Sequence, residues 1–270
     1  MILASYGSTT MITLPGGSGS RWLGRVLDEQ DPSLVGARLL PLVWRLPPDE
    51  RAKLVPAMQD AYVAMRSAEG ATPSPALDTL LFRQRPGAFD AVIVEPKGRP
   101  AQTALVFLHG YAGSFTLECW MMAEAARSID AVTVCPSTGF AGHWWDVDGE
   151  RTLRATLAYL ESRGIRRAYL AGLSNGGVGA SALAPRFARS LAGLILISGT
   201  SPNSSTGRLP TLVVQGEADP MMSASAARAF AARTGATYAG FDGGHFVMMV
   251  RRAEVRDAIG KWLQKREGRL

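Results

Sequence analysis

Apolar residues recur in two rhythms along this chain, and the change between them falls near residue 80. Before it, Leu54, Met58, Tyr62 and Met65 sit three or four positions apart. That spacing puts them on one face of a helix. Pro47-Pro48-Asp49-Glu50 has the form of a helix start, with acids in the first turn. Residues 20–70 therefore predict helix, with Pro56 as a point of kinking. Residues 1–19, rich in Gly, Ser and Thr, predict irregular chain. Gly70 to Pro75 is a cluster of helix breakers.

After residue 80 the pattern alternates. Short apolar runs at 91–94, 103–108, 131–134, 168–171, 194–197 and 212–214 predict strands, and 236–240 a last one. Helical patterns at 116–128, 153–160, 175–188, 222–233 and 247–266 separate or follow them. Gly164 stands where a helix C-cap is needed. Repeated strand–helix alternation predicts an α/β fold, with a mostly parallel sheet covered by helices on both faces. The division expected is a helical extension over 1–84, acting as a cap or packing layer, and a catalytic domain over 85–270.

Composition narrows this only a little. With 270 residues, 47% of them apolar, the chain is long enough for one large core. No apolar run reaches the length of a membrane span. The net charge is +6, but the densest basic stretch, Arg251 to Arg269, also holds Glu254, Asp257 and Glu267. It reads as a solvated helix face, and no nucleic-acid partner is expected. Met1 to Ser20 lacks the pattern of a signal peptide, so the expected location is cytoplasmic. The two cysteines, Cys119 and Cys135, are too few for a disulfide framework or a zinc site. They are expected as buried free thiols, with a single bridge as the alternative.

The chemistry concentrates at Gly172-Leu173-Ser174-Asn175-Gly176, followed by Gly177. A G-x-S-x-G run between a strand and a helix holds a serine on a sharp, strained turn that lifts its hydroxyl above the sheet. A serine hydroxyl needs a base. His245 lies downstream, in a loop at the same sheet edge. His109 reads as a structural member of its own turn. The acid that orients the base should end a strand between the two. Asp219 fits, with Glu217 as fallback and Asp242 as a weaker rival. The chain order Ser, acid, His suits such a fold. Main-chain N–H groups of Asn175 and Tyr111, the latter in the loop His109 to Ser114, are candidates for an oxyanion hole. Trp144 and Trp145 are candidate substrate-pocket walls. Met221, Met222, Met248 and Met249 read as packing around the acid and the base.

The set His109-Gly110, Gly172 to Gly177, Asp219 and Gly244-His245 resembles the α/β-hydrolase superfamily over roughly residues 88–268. The order Trp144-Trp145-Asp146, a helix, Gly164-Ile165 and then the serine turn is similar to its phospholipase/carboxylesterase branch, which includes acyl-protein thioesterases. That branch usually has Gln where this chain has Asn175. The resemblance implies a serine carboxylesterase acting on a small ester through Ser174, His245 and Asp219, with no metal or organic cofactor. Thioesterase, peptidase and acyltransferase activities share the scaffold, and a binding protein without catalysis is a further alternative.

Overall fold

The computed structural model describes residues 8–15 and 28–269. Among the described residues, eight strands make one sheet in the order β1-β2-β4-β3-β5-β6-β7-β8. They are β1 (Thr9–Leu14), β2 (Phe89–Val94), β3 (Thr103–Leu108), β4 (Val132–Pro136), β5 (Arg167–Leu173), β6 (Leu191–Ile197), β7 (Thr211–Gly216) and β8 (Thr237–Phe241). β2 is antiparallel to both of its neighbours, while β4, β3, β5, β6, β7 and β8 run parallel.

The side-chain period of a strand divides the core in two. In β3, Ala104, Val106 and Leu108 enter one cluster, and Leu105 and Phe107 enter the other. The first face is covered by α5 (Val147–Ser162), α6 (Asn175–Phe187) and α7 (Ala224–Thr234). The second is covered by α4 (Thr116–Ala126), α8 (Val247–Val250) and α9 (Arg252–Arg266), with Ala61, Tyr62 and Met65 of α2 (Pro48–Glu69) packed into the same cluster. Burial on both faces of β3, β6 and β7 explains why those strands read as unbroken apolar runs rather than alternating ones.

The leading segment differs from the expectation of irregular chain followed by one helical stretch. Residues 9–14 form β1, paired in antiparallel register with β2 from Thr9 opposite Val94 to Leu14 opposite Phe89. The helical stretch is two helices, α1 (Gln30–Val43) and α2, with the short α3 (Ala76–Leu80) after them. Residues 20–27 of the expected helix lie outside the described residues. Pro56 does not end α2, which runs from Pro48 to Glu69. Glu29, just before α1, is buried and accepts from the main-chain N–H of Thr116 and of Leu117, each at 2.8 Å. It thereby caps α4 from a distant part of the chain, since first-turn N–H groups have no partner within their own helix. The final helical stretch is divided at Arg251 into α8 and α9.

Cys119 and Cys135 are bonded to each other, not free, with their Cα atoms 5.9 Å apart. The expectation of free thiols fails because α4 packs directly on β4. That contact brings a first-turn helix position beside a strand position, within the reach of a bridge. Among the described residues, no helix is long and apolar enough to cross a membrane.

Candidate active site

Ser174 stands at the junction of β5 and α6 with φ 54° and ψ −119°, a conformation that few non-glycine residues adopt. The glycines around it allow the turn to close. A Cβ on Gly172 would lie 2.2 Å from the carbonyl oxygen of Gly176, and one on Gly176 would lie 2.0 Å from that of Leu108. Any side chain at either position would push β5, α6 and β3 apart. The strained serine is thus held by close main-chain packing on two sides.

His245 reaches Ser174 from the loop between β8 and α8. Its Nε2 lies 3.0 Å from Ser174 Oγ, and its Nδ1 lies 2.9 Å from Asp219 Oδ2. With a carboxylate on Nδ1, that nitrogen carries the proton and Nε2 is free to accept from the serine hydroxyl. Asp219 is itself fixed on every side. Its Oδ1 accepts from the N–H of Met221 at 2.8 Å and of Met222 at 2.9 Å, and its Oδ2 accepts from Gln215 Nε2 at 2.9 Å. Three donors besides the imidazole keep the carboxylate aimed at one place.

The other two acids are engaged elsewhere. Glu217 pairs with Arg228 and accepts from Tyr238 Oη at 3.1 Å. Asp242 pairs with Arg251 at 3.0 Å and is almost wholly exposed. Neither carboxylate is hydrogen-bonded to His245.

The loop after β3 packs against the serine turn. A Cβ on Gly110 would come within 3.2 Å of Ser174 Cβ and of the Leu173 carbonyl oxygen. Tyr111, the next residue, is exposed and its ring meets Phe140 edge-on at 5.0 Å. Asn175 is the first residue of α6, so its N–H has no acceptor within the helix. Its side-chain Nδ2 donates to the Ala141 carbonyl at 2.8 Å, tying the serine turn to the loop after β4.

His109 is buried, with Nδ1 donating to the Gly110 carbonyl at 2.8 Å and Nε2 accepting from Thr138 N–H at 3.1 Å. Burial lowers its pKa to about 4, so the ring is neutral and shapes the loop. Trp144 does not wall a pocket. It is 0% exposed, donates from Nε1 to the His109 carbonyl at 2.9 Å and meets the His109 ring edge-on. The base of its side chain packs closely on Gly179, where a Cβ would lie 2.2 Å from Trp144 Cβ. The loop between β4 and α5 turns this large apolar ring inwards under the β3 loop. Trp145 points the other way, is 41% exposed and lies against His143.

An α/β serine hydrolase from Xanthomonas campestris, described as having no lid, aligns with a TM-score of 0.54 at 20% identity over 67% of this chain and 91% of that one. Est1E from Butyrivibrio proteoclasticus, solved with ferulic acid, aligns with a TM-score of 0.57 at 15% identity over 67% of this chain and 96% of its own. An alpha-beta serine hydrolase homologue from Coxiella burnetii gives 0.51 at 20% identity over 64% and 91%. The chain has the α/β-hydrolase fold. No protein-family model matches it, and no curated protein matches it in sequence.

Within this α/β-hydrolase fold, two polar residues at the site escape a reading of the sequence. Gln215 holds Asp219, and its only sequence signal is a place four residues earlier, near the end of β7. Glu50 of α2 accepts from the N–H of Phe246, next to His245, at 2.7 Å. Nothing local to either segment announces that contact, because 196 residues separate the partners.

Proposed function

We propose that this protein is a serine hydrolase that cleaves carboxylic esters through Ser174, His245 and Asp219. One observation carries the reading: the unbroken line from Ser174 Oγ through both imidazole nitrogens to Asp219 Oδ2, with steps of 3.0 and 2.9 Å. A binding protein has no need of a base aimed at a strained serine.

In the proposed reaction His245 Nε2 takes the proton of Ser174 as Oγ attacks the ester carbonyl carbon. Asp219 holds the imidazole in the required tautomer and stabilises the imidazolium without taking the proton. The carbonyl oxygen becomes an oxyanion, received by the N–H groups of Asn175 and Tyr111. Each such donor contributes about 3 kcal/mol where it has been removed from related sites. His245 then protonates the departing alcohol oxygen, leaving an acyl group on Ser174. Water, activated by His245, releases the acid. Esterases among the structural neighbours, and the ferulic acid bound to one of them, support small carboxylic esters as the substrate class. The resemblance to the phospholipase/carboxylesterase branch supports the same class.

The test is hydrolysis of p-nitrophenyl esters from acetate to palmitate by wild type and Ser174→Ala, with fluorophosphonate labelling alongside. Turnover and labelling that both vanish in the variant are expected. A folded wild type that releases no nitrophenol and takes up no label would refute the proposal.

A further inference from the structure

One of the helices that precede the hydrolase core reaches the loop that carries the candidate base. Glu50 lies in the first turn of α2 and is 1% exposed. Its Oε1 accepts from Phe246 N–H at 2.7 Å. Its Oε2 lies against Gly244 without meeting the geometry of a hydrogen bond: a Cβ on Gly244 would stand 2.3 Å from it and 2.9 Å from Pro47 Cδ. The segment Gly244-His245-Phe246 is therefore pressed onto the start of α2, and only a glycine at 244 admits that approach. α2 and α8 also pack together beneath it.

Resting on the catalytic reading above, we propose that Glu50 is a positioning residue for His245, its carboxyl clamping the main chain on which the imidazole is carried. A histidine at the head of a loop is free to swing unless something fixes the chain on both sides. Asp219 fixes the ring, and Glu50 fixes the backbone one residue further on. Loss of either lets Nε2 drift from Ser174 Oγ, where displacements near 1 Å cost about a hundredfold in rate.

The electrostatics agree. Burial holds the Glu50 carboxyl above the usual carboxylate range, while the Phe246 N–H and the nearby imidazole of His245 draw it back and Asp219 opposes them. Asp49, its neighbour in the chain, pairs with Lys53, and Arg251 pairs with Asp242 and Glu254. A buried carboxyl is costly, and here it sits where it touches the catalytic loop.

The experiment compares Glu50→Gln, Glu50→Ala and Glu50→Asp in the full chain. Gln keeps an acceptor at Oε1, Ala removes it, and Asp shortens the reach by one methylene. Two readouts are taken below each variant's melting temperature: kcat and KM for p-nitrophenyl acetate, and amide exchange at His245 and Phe246. Glu50→Ala and Glu50→Asp are expected to lose about tenfold to a hundredfold in kcat with KM little changed, and to speed exchange at Phe246. Glu50→Gln is expected to restore both to within about threefold of wild type, a rescue that charge alone would not give. Unchanged exchange at Phe246 in Glu50→Asp overturns the proposal, as does a Glu50→Gln that falls as far as the other two. The exchange measurement does not depend on ester turnover. An inactive wild type whose Phe246 exchange still depends on Glu50 would refute the hydrolase reading and leave the clamp standing.

Discussion

Gln215 Nε2 and His245 Nδ1 meet on one oxygen, Asp219 Oδ2, each at 2.9 Å. The amide also donates to the Met222 carbonyl at 3.0 Å, so it joins the end of β7 to the turn that carries the acid. Gln215→Leu removes a hydrogen bond to a charged, buried group, worth about 1.5–3 kcal/mol. If half of that is felt in the transition state, kcat falls by about fourfold to thirteenfold. Steady-state kinetics on p-nitrophenyl acetate measures it, and a variant with wild-type kcat would show that the three other partners of Asp219 suffice.

The choice among the three acids has a direct measurement. Asp219→Asn presents an amide to His245 and favours the wrong tautomer, so kcat is expected to fall by about 10⁴. Glu217→Gln and Asp242→Asn touch side chains that pair with Arg228 and Arg251 instead. They are expected to keep kcat within about threefold, as surface ion pairs contribute little. A large loss in Glu217→Gln with a mild one in Asp219→Asn would reverse the assignment.

Two buried groups give stability an uneven dependence on pH. Burial, reinforced by the charge of Glu29, raises the Glu118 pKa to about 8. Between the ordinary carboxylate range and pH 8 the unfolded chain has released this proton and the folded one retains it. Stability therefore falls as pH rises across that window, by at most about 1.4 kcal/mol per pH unit. His109 has the opposite sign. Its folded pKa is lowered to about 4, so stability is lost as pH falls from the ordinary histidine value towards 4. Above neutral pH the Glu118 contribution stands alone of the two. Urea unfolding at pH 7 and pH 8.5 is expected to show a loss of stability that Glu118→Gln reduces. The same slope in the variant would place its origin elsewhere.

The Cys119–Cys135 bridge closes a loop of 16 residues. Acting through loop-closure entropy of the unfolded chain, it contributes about 3 kcal/mol. Replacing both cysteines by serine is expected to lower Tm by roughly 6–10 °C in a chain of this size. Scanning calorimetry of the variant and of reduced wild type measures this. Both sulfur positions are buried against β2 and the α4 side of the core, so mass spectrometry of the folded protein is expected to find no free thiol.

Much of this is legible in the order of residues alone. Unbroken apolar runs at β3, β5, β6 and β7 mark strands buried on both faces, and the glycines around Ser174 mark the turn. Those signals are local: each depends on neighbours within a few residues. What the sequence hides is contact between distant segments. The run Thr9 to Thr13, β-branched except for Met11, suits a strand, but its Gly- and Ser-rich surroundings read as loop, and only its pairing with β2 decides the matter. Trp144 and Trp145 are adjacent and chemically alike, yet one is sealed in the core and the other faces out. The space left by Gly179, 35 residues away, makes the difference. The bridge between the cysteines and the reach of Glu50 to Phe246 are of the same kind.

The place of β1 has a practical consequence. A strand at the rim of a sheet offers a row of unsatisfied N–H and C=O groups to any chain that can align with it. β1 covers that row along the whole of β2, from Phe89 to Val94. Every residue of β2 is buried and most are apolar. A shortened protein beginning near residue 85 would therefore leave that row uncovered. It would present a six-residue template, five of them apolar (Phe89, Ala91, Val92, Ile93 and Val94), and would be expected to self-associate edge to edge before any change in substrate preference was seen.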